Sequence, residues 1–220
     1  MLAFQQLAFM ASLLALVKGQ TPPGFTPSCS MNLAVIYAEG MSVQPGSFFQ
    51  ATEAFAVLPE IGSQQLDIYK RYAVFMIDLD VVEDGKATTI LHWYQADLLT
   101  NPCSGELLNL SGNGALYVGP TPPPGPSHRY VLLLFTQPAG YVIPECFRHV
   151  LPLTLPSRQG FNVNQFMEVA ELGQPTAANY FSAANPNQAT STRVATATSL
   201  HSADCRTASA RAENQHWDLR

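Results

Sequence analysis

The sequence predicts a mostly β fold built around an antiparallel or mixed sheet. Two apolar segments, residues 72–80 and 88–98, are separated by the turn sequence EDGK at 83–86 and show no helical period between them. A third, nearly continuous apolar run at 129–137 is typical of a strand buried on both faces. Only 12% of the 220 residues are charged, while 17 are proline. This composition favours loops and backbone pairing over charged amphipathic helices.

Two shorter apolar segments precede these strands. Residues 31–38 and 47–59 are bounded by glycine and proline turn signals, so we predict a strand in each. The segment 100–114 is rich in glycine, asparagine and serine and is predicted to be a loop.

The C-terminal part contains the one clear helix pattern. In residues 162–173 apolar side chains recur at helical spacing and Gly173 is a stop signal, which predicts a helix. Residues 176–183 fit neither the helical nor the strand period. From residue 184 to residue 220 the composition shifts to Ala, Ser, Thr, Asn and Gln, which indicates a low-complexity tail. The predicted organisation is therefore one domain over residues 20–183, followed by that tail.

Residues 1–19 have the pattern of a secretory signal peptide. The apolar stretch at 7–17 is too short to span a membrane, and Lys18-Gly19 leads to an expected cleavage before Gln20. An N-terminal core helix is the alternative interpretation. Since no other segment approaches spanning length, we expect a secreted, extracellular protein without a transmembrane segment.

The cysteine pattern also fits an extracellular protein. An even number of cysteines in a secreted chain predicts disulfides, here two with three possible pairings. Their wide spacing lacks the CxxC and CxxH patterns of zinc clusters. Asn109 begins an Asn-Leu-Ser glycosylation sequon. The four candidate disulfide cysteines are Cys29, Cys103, Cys146 and Cys205.

The charge of the chain argues against one class of partner. The formal net charge is −5, and it becomes −6 without residues 1–19 because that segment contains one base, Lys18, and no acid. Nonspecific nucleic-acid binding needs a cationic surface, so no nucleic-acid partner is expected.

Polar side chains stand inside the predicted strands 72–80 and 88–98. Strand alternation places Asp78 and Asp80 on one face of the first strand, and Ile90, His92 and Tyr94 on one side of the second. A return of the chain at EDGK allows Asp78 to approach His92, although the sequence does not define the register.

A third polar group opens the strand at 129–137. Alternation puts His128 and Tyr130 on one face and Arg129 on the other, where Arg129 either pairs with an acid, caps carbonyls or contacts a ligand. An aspartate beside histidines is compatible with structural histidines, with an anion site that uses imidazole and tyrosine donors, or with a catalytic or metal site. No GxSxG elbow and no HExxH or HxH spacing occurs in the sequence.

Taken in order, four motifs resemble the phosphatidylethanolamine-binding protein family, which includes the Raf kinase inhibitor proteins and carboxypeptidase Y inhibitors. They are Asp78-Leu79-Asp80 at a strand end, His92-Trp93 on the next strand, the loop GPTPPPGPSHRY, and a late helix followed by PTAANYFSA. The resemblance covers about residues 30–183. Within the family, the chain is similar to secreted fungal members. Leu79 stands where the family has a proline.

The resemblance implies a large antiparallel sheet packed on a smaller sheet, with few peripheral helices. It also implies a cavity that binds anions such as phosphate or a phosphoethanolamine headgroup. Tyr180 or Phe181 is expected to close this cavity. The implied ligand-binding residues are Asp78, His92, His128 and Tyr130, with Pro122 and Pro123 as loop walls.

The function implied by the resemblance is that of a monomeric, non-catalytic binding protein without a metal or other cofactor. Its expected partner is an anionic small molecule or a phospholipid headgroup. An inhibitor of a serine carboxypeptidase or another protease is the first alternative, and a hydrolase or metalloprotein is the second.

Overall fold

A computed structural model describes residues 19–109, 112, 114–151, 154–187 and 205. The predicted signal peptide, apart from Gly19, and most of the predicted tail lie outside these residues. Short 3₁₀ helices occupy Ala38–Gly40, Glu53–Ala56, Glu145–Val150 and Leu155–Arg158, and one α-helix, α1, spans Val163–Val169. The strands are β1 (Ala34–Tyr37), β2 (Met41–Ser42), β3 (Ser47–Gln50), β4 (Glu60–Gly62), β5 (Arg71–Glu83), β6 (Lys86–Thr100), β7 (Leu107–Asn109), β8 (Gly114–Ala115), β9 (His128–Thr136) and β10 (Ala177–Ala184).

The strands form two sheets. The larger has seven strands, with β3, β10, β9, β5, β6 and β7 side by side and β8 paired to β6, and the smaller has the order β2-β1-β4. The named strands pair antiparallel, except that β3 runs parallel to β10. The predicted fold class, a large sheet packed on a smaller one with few helices, is confirmed.

The core lies on both faces of the large sheet. Side chains of β5 alternate between the faces: Phe75 and Ile77 pack in the cluster that includes α1, while Val74 and Met76 pack in the cluster that includes the small sheet. Because β5 is covered on both faces, seven consecutive residues from position 72 to 78 are buried. None of the described helices is long and apolar enough to cross a membrane.

Two predictions for the connecting segments were wrong. The predicted strand at 47–59 ends at Gln50, and residues Glu53–Ala56 form a 3₁₀ turn that packs the buried Phe55 ring against both Tyr37 and Phe181. The predicted loop at 100–114 contains β7 and β8, which pair with β6. These strands pair with backbone N–H and C=O groups of β6. The composition of the segment does not show that β6 needs such partners.

The C-terminal elements are shorter or more regular than predicted. The helix spans Val163–Val169 instead of 162–173, because Glu171 adopts a positive φ of 53° and ends the helical path before Gly173. The ambiguous segment 176–183 forms β10, whose backbone pairs with β9 on one side and β3 on the other.

One of the two predicted disulfides is present, between Cys146 and Cys205, whose Cα atoms are 5.6 Å apart. Cys29 and Cys103 are free thiols, so the second predicted disulfide is wrong. Cys29 lies beside Pro175, just before β10, whereas Cys103 lies in the turn that joins β6 to β7. Strands β9 and β5 separate β10 from β6, and at about 4.8 Å per strand this exceeds the reach of a disulfide.

The glycosylation sequon begins at the end of β7. Asn109 is exposed there, while Leu110 and Ser111 lie outside the described residues.

Candidate functional site

His92 is an extra residue in its strand. Met76 pairs with Trp93 and Ile77 pairs with Leu91, so β6 has one more residue than β5 at this point, and that residue is His92. Such a bulge interrupts the alternation of side chains. Leu91 and Tyr94 therefore share one core cluster, while Trp93 lies in the other. The prediction that Tyr94 faces the same side as His92 was wrong for this reason.

The bulge holds the His92 ring in one orientation. Its Nδ1 lies 2.7 Å from the carbonyl oxygen of Val118, and its ring meets the Tyr130 ring edge-on at a centroid distance of 5.3 Å. A carbonyl only accepts hydrogen bonds, so Nδ1 carries the proton and Nε2 remains as the second ring nitrogen.

Asp78 lies between the two histidines. Its Oδ2 is 2.8 Å from Nδ1 of His128 and 3.9 Å from Nε2 of His92. The β9 register places Tyr130 opposite Asp78, which brings His128, two residues earlier, to the same end of the site. All three side chains are buried, with exposed fractions of 3% for Asp78, 4% for His92 and 8% for His128.

The two histidines have opposite protonation tendencies. The hydrogen bond that His128 donates to Asp78 raises the pKa of His128, despite a smaller opposing effect of burial. Burial lowers the pKa of His92, and this outweighs the hydrogen bond to Val118 and the charge of Asp78. In mildly acidic solution His128 is therefore the imidazole that becomes a cation.

The Tyr130 hydroxyl is the unsatisfied polar group of the site. It is buried and makes no close hydrogen bond to a described residue, and the Asp78 carboxylate is near it. Burial, the negative charge of Asp78 and the interaction of the hydroxyl with that carboxylate raise the pKa of Tyr130, so the phenol keeps its proton and can donate it in a hydrogen bond. A buried donor of this kind is expected to hydrogen-bond to a water molecule or a ligand.

A second bulge follows Asp78. Asp78 pairs with Ile90 and Val81 pairs with Thr88, so β5 carries one extra residue between them. The Asp78 carboxylate stabilises this bend by accepting a hydrogen bond of 2.9 Å from the Asp80 amide. Leu79 packs against the core on the α1 side of the sheet.

Arg129 pairs with an acid, as one of the sequence interpretations predicted. Its Nε and Nη2 donate to the two carboxylate oxygens of Asp80 at 2.7 and 2.6 Å, and its amide donates to Asp80 Oδ2 at 2.8 Å. Burial alone would raise the pKa of Asp80, but the bonds from Arg129 outweigh it and lower that pKa. The ion pair fixes the end of β9 next to the β5 bulge.

The proline-rich loop is anchored at its start and at Pro122. The Val118 amide donates to the His92 carbonyl at 2.9 Å, and Asn185 Nδ2 donates to the Pro122 carbonyl at 3.0 Å. Gly119 lies so close to Phe55 that a Cβ atom would overlap the Phe55 carbonyl. The prolines of this loop need no hydrogen-bonded ladder, because their φ is fixed and they have no N–H.

Together these elements surround a cleft of about 760 Å³. It is lined by the six residues implied as ligand-binding, namely Asp78, His92, Pro122, Pro123, His128 and Tyr130. Arg129, for which ligand contact was one of the sequence interpretations, also lines the cleft. The residues that the sequence interpretation did not assign to the site supply polar groups, namely Asp80, Thr121, Ser127 and Ser182, or apolar surface, namely Val81, Val82, Ala87, Ile90, Pro126 and Leu155.

The two residues expected to close the cavity are placed differently. Phe181 is fully buried behind the cleft and stacks on Tyr130 at a centroid distance of 5.4 Å. Tyr180 points to the opposite face of β10, towards Gly46. Ser182, which pairs with Arg129 of β9, is the β10 residue that lines the cleft.

A buried cation supports the cleft from behind. Arg158 is fully buried, and its Nη1 and Nε donate to the carbonyls of Leu116 at 2.7 Å and Val150 at 3.1 Å. Its positive charge contributes to the lowered pKa of His92, after burial as the main cause. Nothing in the local sequence indicated this role, because a single arginine after a proline-rich segment has the pattern of a surface residue.

The described residues contain no group of three or more His, Cys, Asp or Glu side chains with the geometry to hold a metal ion. The described Ser, Thr and Cys side chains make no hydrogen bond to His92 or His128. What the arrangement offers is a set of hydrogen-bond donors around a buried carboxylate.

Comparison with known proteins is consistent with this arrangement. Residues 39–181 match the family model described as phosphatidylethanolamine-binding protein. The phomoidride biosynthesis cluster protein N of Talaromyces stipitatus is 41% identical over 177 residues, which cover 74% of this chain and 89% of that protein. Protein TWIN SISTER of FT of Arabidopsis thaliana is 33% identical over 132 residues, 58% of this chain and 65% of that protein.

Two solved structures have a similar fold. The carboxypeptidase Y inhibitor, solved in complex with its cognate proteinase, gives a TM-score of 0.53 at 22% identity and covers 72% of this chain and 85% of its own. The solution structure of CG7054 gives a TM-score of 0.50 at 26% identity, with 70% and 84% covered.

Proposed function

Because the chain belongs to the phosphatidylethanolamine-binding protein family, we propose that it is a non-catalytic binding protein whose cleft holds a phosphate-type anion. The observation that carries the proposal is the buried Tyr130 hydroxyl, which makes no close hydrogen bond to a described residue and belongs to a residue that lines the same cleft as His128. A phosphate oxygen is a strong acceptor for both donors.

The charge of His128 tunes this binding. Asp78 holds Nδ1, which leaves Nε2 as the ring nitrogen for a ligand. In the neutral ring Nε2 is an acceptor, and only the protonated ring makes it a donor. Because Asp78 raises the pKa of His128, the cationic form is populated in mildly acidic solution. Anion binding therefore strengthens as the pH falls.

Calorimetric titration with inorganic phosphate and with phosphoethanolamine tests this proposal. We expect tighter binding at pH 5 than at pH 7.5, and a loss of binding in His128→Ala. His149→Ala is the matched control, because His149 lies in the 3₁₀ helix Glu145–Val150 and does not line the cleft. Affinity that is unchanged between the two pH values, or unchanged in His128→Ala, would overturn the proposal.

The proposed absence of catalysis rests on the lack of an activated nucleophile. A serine or cysteine nucleophile needs a neighbouring base within hydrogen-bond reach. Ser127 and Ser182 line the cleft, but in the part of the chain that the structure describes neither bonds to His92 or His128. An esterase and phosphatase screen with the purified protein tests this, and turnover that is lost in His128→Ala would contradict it.

A second candidate function comes from the relatives. The 41% identical protein is named for the phomoidride biosynthesis cluster, so the same cleft could serve in making a small fungal product. Deleting the gene in the source organism and restoring it as wild type or as His128→Ala tests this role. A changed set of small-molecule products that only the wild type restores would support it over a purely regulatory role.

Inhibition of a protease is the alternative suggested by the shared fold with the carboxypeptidase Y inhibitor. At 22% identity this likeness extends to the fold alone. Titration of the purified protein against a serine carboxypeptidase distinguishes protease inhibition from anion binding. Inhibition that persists in His128→Ala would assign it to a surface separate from the cleft.

We also propose that the protein is secreted. The support is the apolar N-terminal stretch at 7–17 and the Cys146–Cys205 disulfide, a bond that persists in oxidising compartments. N-terminal sequencing of protein collected from the culture medium of a eukaryotic host should begin at Gln20. Retention of the intact N-terminus inside the cell would contradict this.

A further inference from the structure

A second cavity lies on the α1 side of the large sheet, where Tyr94 packs in the same core cluster as the α1 side chains. Its volume of about 420 Å³ falls within the range of roughly 300–1,000 Å³ that is typical of sites for small organic molecules. Among the described residues, none lines both this cavity and the cleft. We call it the Tyr94 cavity, and its lining includes Tyr94, Asp97, Tyr141, Ile143, Arg148 and Leu151.

A bulge in β6 places Asp97 at this cavity. The register between β5 and β6 shifts between Tyr72 and Val74, so Ala96 and Asp97 of β6 oppose a single residue of β5. Asp97 adopts a left-handed backbone conformation with a φ of 60°. A residue other than glycine is uncommon in this conformation, and such residues cluster at ligand sites. The fold therefore keeps an acidic side chain at the cavity in spite of a local conformational cost.

The Asp97 carboxylate can accept hydrogen bonds from a ligand. Its side chain is 26% exposed, and the Arg71 Nη1 atom lies 3.8 Å from Asp97 Oδ1, which is beyond hydrogen-bond distance. Arg71 shares a neighbouring cavity with Asp97 but does not line the Tyr94 cavity. Because a carboxylate has about four acceptor positions, Asp97 can bind a cation from the side of the Tyr94 cavity.

Two tyrosine hydroxyls lie beside this carboxylate. The Oη atoms of Tyr94 and Tyr141 are 2.8 Å apart, and since one hydroxyl donates to the other, one hydroxyl hydrogen is not used within the pair. Burial raises the pKa of Tyr94 to about 12 and also raises the pKa of Tyr141, so both hydroxyls keep their protons. Aromatic rings next to a carboxylate are surroundings that an organic ammonium ion favours.

Arg148 supplies the opposite charge at the same cavity. Its side chain is 60% exposed, and its Nε lies 2.8 Å from Glu145 Oε2. A guanidinium has five N–H donors, so Arg148 can bind a second carboxylate besides that of Glu145. The Tyr94 cavity therefore presents one carboxylate and one guanidinium to a single ligand-sized space.

We propose that the Tyr94 cavity binds a small zwitterion, with its ammonium group at Asp97 and its carboxylate at Arg148. A zwitterion pairs with both charged groups, whereas a simple amine or a simple acid pairs with only one of them. The aliphatic side chains of Ile143 and Leu151 would contact the methylene groups between the two charges, where burial is favourable. This inference goes beyond the anion site of the cleft and does not depend on it.

A series of ω-amino acids tests the inference. Calorimetry at about pH 7, where amines and carboxylates are both charged, compares glycine, β-alanine, γ-aminobutyrate and ε-aminocaproate with butylamine and butyrate. We expect the zwitterion whose length matches the separation of Asp97 and Arg148 to bind at least about tenfold more tightly than butylamine or butyrate. The reason is that it gains a second charge-assisted hydrogen bond.

Two variants assign the binding to the cavity. Asp97→Asn and Arg148→Gln should each reduce the affinity for the best zwitterion to about that of the singly charged probes. Asparagine tolerates a left-handed backbone, so Asp97→Asn should keep the bulge. Asp84→Asn is the matched control, because Asp84 also has a positive φ, of 48°, but is exposed and lies outside the cavity. It should bind the zwitterion as the wild type does.

Three results would overturn the inference. They are equal affinity for the zwitterions and the singly charged probes, failure of every zwitterion to bind, and unchanged zwitterion binding in Asp97→Asn. Zwitterion binding that is lost in His128→Ala would assign the ligand to the cleft and would overturn it as well. Phosphate binding to the cleft is a separate measurement, so failure of the zwitterion site and failure of the proposed function are distinguishable.

Discussion

Nδ1 of His128 lies 2.8 Å from Oδ2 of Asp78, although the two residues are 50 positions apart in the chain. The contact joins the first residue of β9 to the middle strand β5, at the point where β5 bulges away from β6. It fixes the tautomer of His128 and leaves Nε2 as the ring nitrogen for the cleft. The same contact makes the site sensitive to pH.

The first prediction concerns the titration of the two histidines. By NMR, His128 should titrate above the ordinary histidine value of about 6.5 and His92 below it. Asp78→Asn should lower the pKa of His128, because the hydrogen bond to a carboxylate is the main cause of its elevation. An unchanged His128 pKa in this variant would contradict the assignment.

The free energy of unfolding should depend on the same titration of His128. A histidine whose pKa is raised on folding contributes stability that is complete below the unfolded value of about 6.5 and is lost as the pH rises through the folded value. The loss of unfolding free energy in Asp78→Asn should therefore be larger at pH 5.5 than at pH 9. Urea denaturation at the two pH values measures it.

The second prediction concerns the pair between Arg129 and Asp80. Arg129→Gln should cost about 0.5–1 kcal/mol at pH 6, because the pair is bidentate although partly exposed. The pair lowers the pKa of Asp80, so its contribution is present above the unfolded value of about 3.9 and is lost as the pH falls through the folded value. Urea denaturation from pH 6 to pH 2 should show the difference disappear.

Arg148→Gln is the control for this variant. Arg148 pairs with Glu145 at 2.8 Å, three residues apart, and both side chains are mostly exposed. A pair of that kind contributes at most about 0.5 kcal/mol. Equal costs in the two variants would indicate that the bidentate geometry of the Arg129–Asp80 pair adds nothing beyond an ordinary exposed ion pair.

Much of the fold was predictable because its longest strands are also its most apolar segments. The runs at 72–80, 88–98 and 129–137 became β5, β6 and β9, and the turn at Asp84-Gly85 made the first two neighbours. That neighbourhood brought Asp78 towards His92, as alternation and the turn had indicated. Local sequence carries this information because a tight turn determines which strands pair.

The features of the fold and the site that the sequence did not predict depend on contacts between distant segments. The bulges at His92 and after Asp78 arise from the mismatch between paired strands, and no period in the sequence records them. The place of β9 beside β5, which brings His128 to Asp78, is a non-local pairing. The burial of Arg158 likewise depends on the carbonyls of Leu116 and Val150, which only the folded chain assembles.

The third prediction concerns the Tyr130 hydroxyl. Tyr130→Phe should change the unfolding free energy by less than about 0.5 kcal/mol, because this hydroxyl makes no close hydrogen bond to a described residue. The same variant should weaken phosphate binding about tenfold, since it removes one hydrogen bond to a charged ligand. Chemical denaturation and calorimetry measure the two effects.

Tyr72→Phe is the matched comparison for stability. The Tyr72 hydroxyl donates to the Asp67 carbonyl at 3.0 Å and accepts from the Asp67 amide at 2.8 Å. Its removal should cost about 1–2 kcal/mol and leave phosphate binding unchanged. A stability loss in Tyr130→Phe as large as that in Tyr72→Phe would show that the Tyr130 hydroxyl has a structural partner and would weaken the case for a ligand.

The fourth prediction concerns Arg158, the buried cation behind the cleft. Arg158→Met should cost at least about 2 kcal/mol, because the carbonyls of Leu116 and Val150 lose their donors in a buried setting. It should also raise the pKa of His92, since the charge of Arg158 contributes to lowering it. Arg158→Lys retains the charge and should preserve the His92 pKa while recovering only part of the stability.

Arg71→Met calibrates the stability measurement for Arg158. The Arg71 side chain is 58% exposed and meets Asp97 only at 3.8 Å, so its replacement should cost less than about 0.5 kcal/mol. Denaturation of the three variants together with NMR titration of His92 separates two roles of Arg158. If Arg158→Met is destabilised while His92 titrates as in the wild type, Arg158 acts only by holding the backbone that leads into the proline-rich loop, and its charge does not reach the cleft.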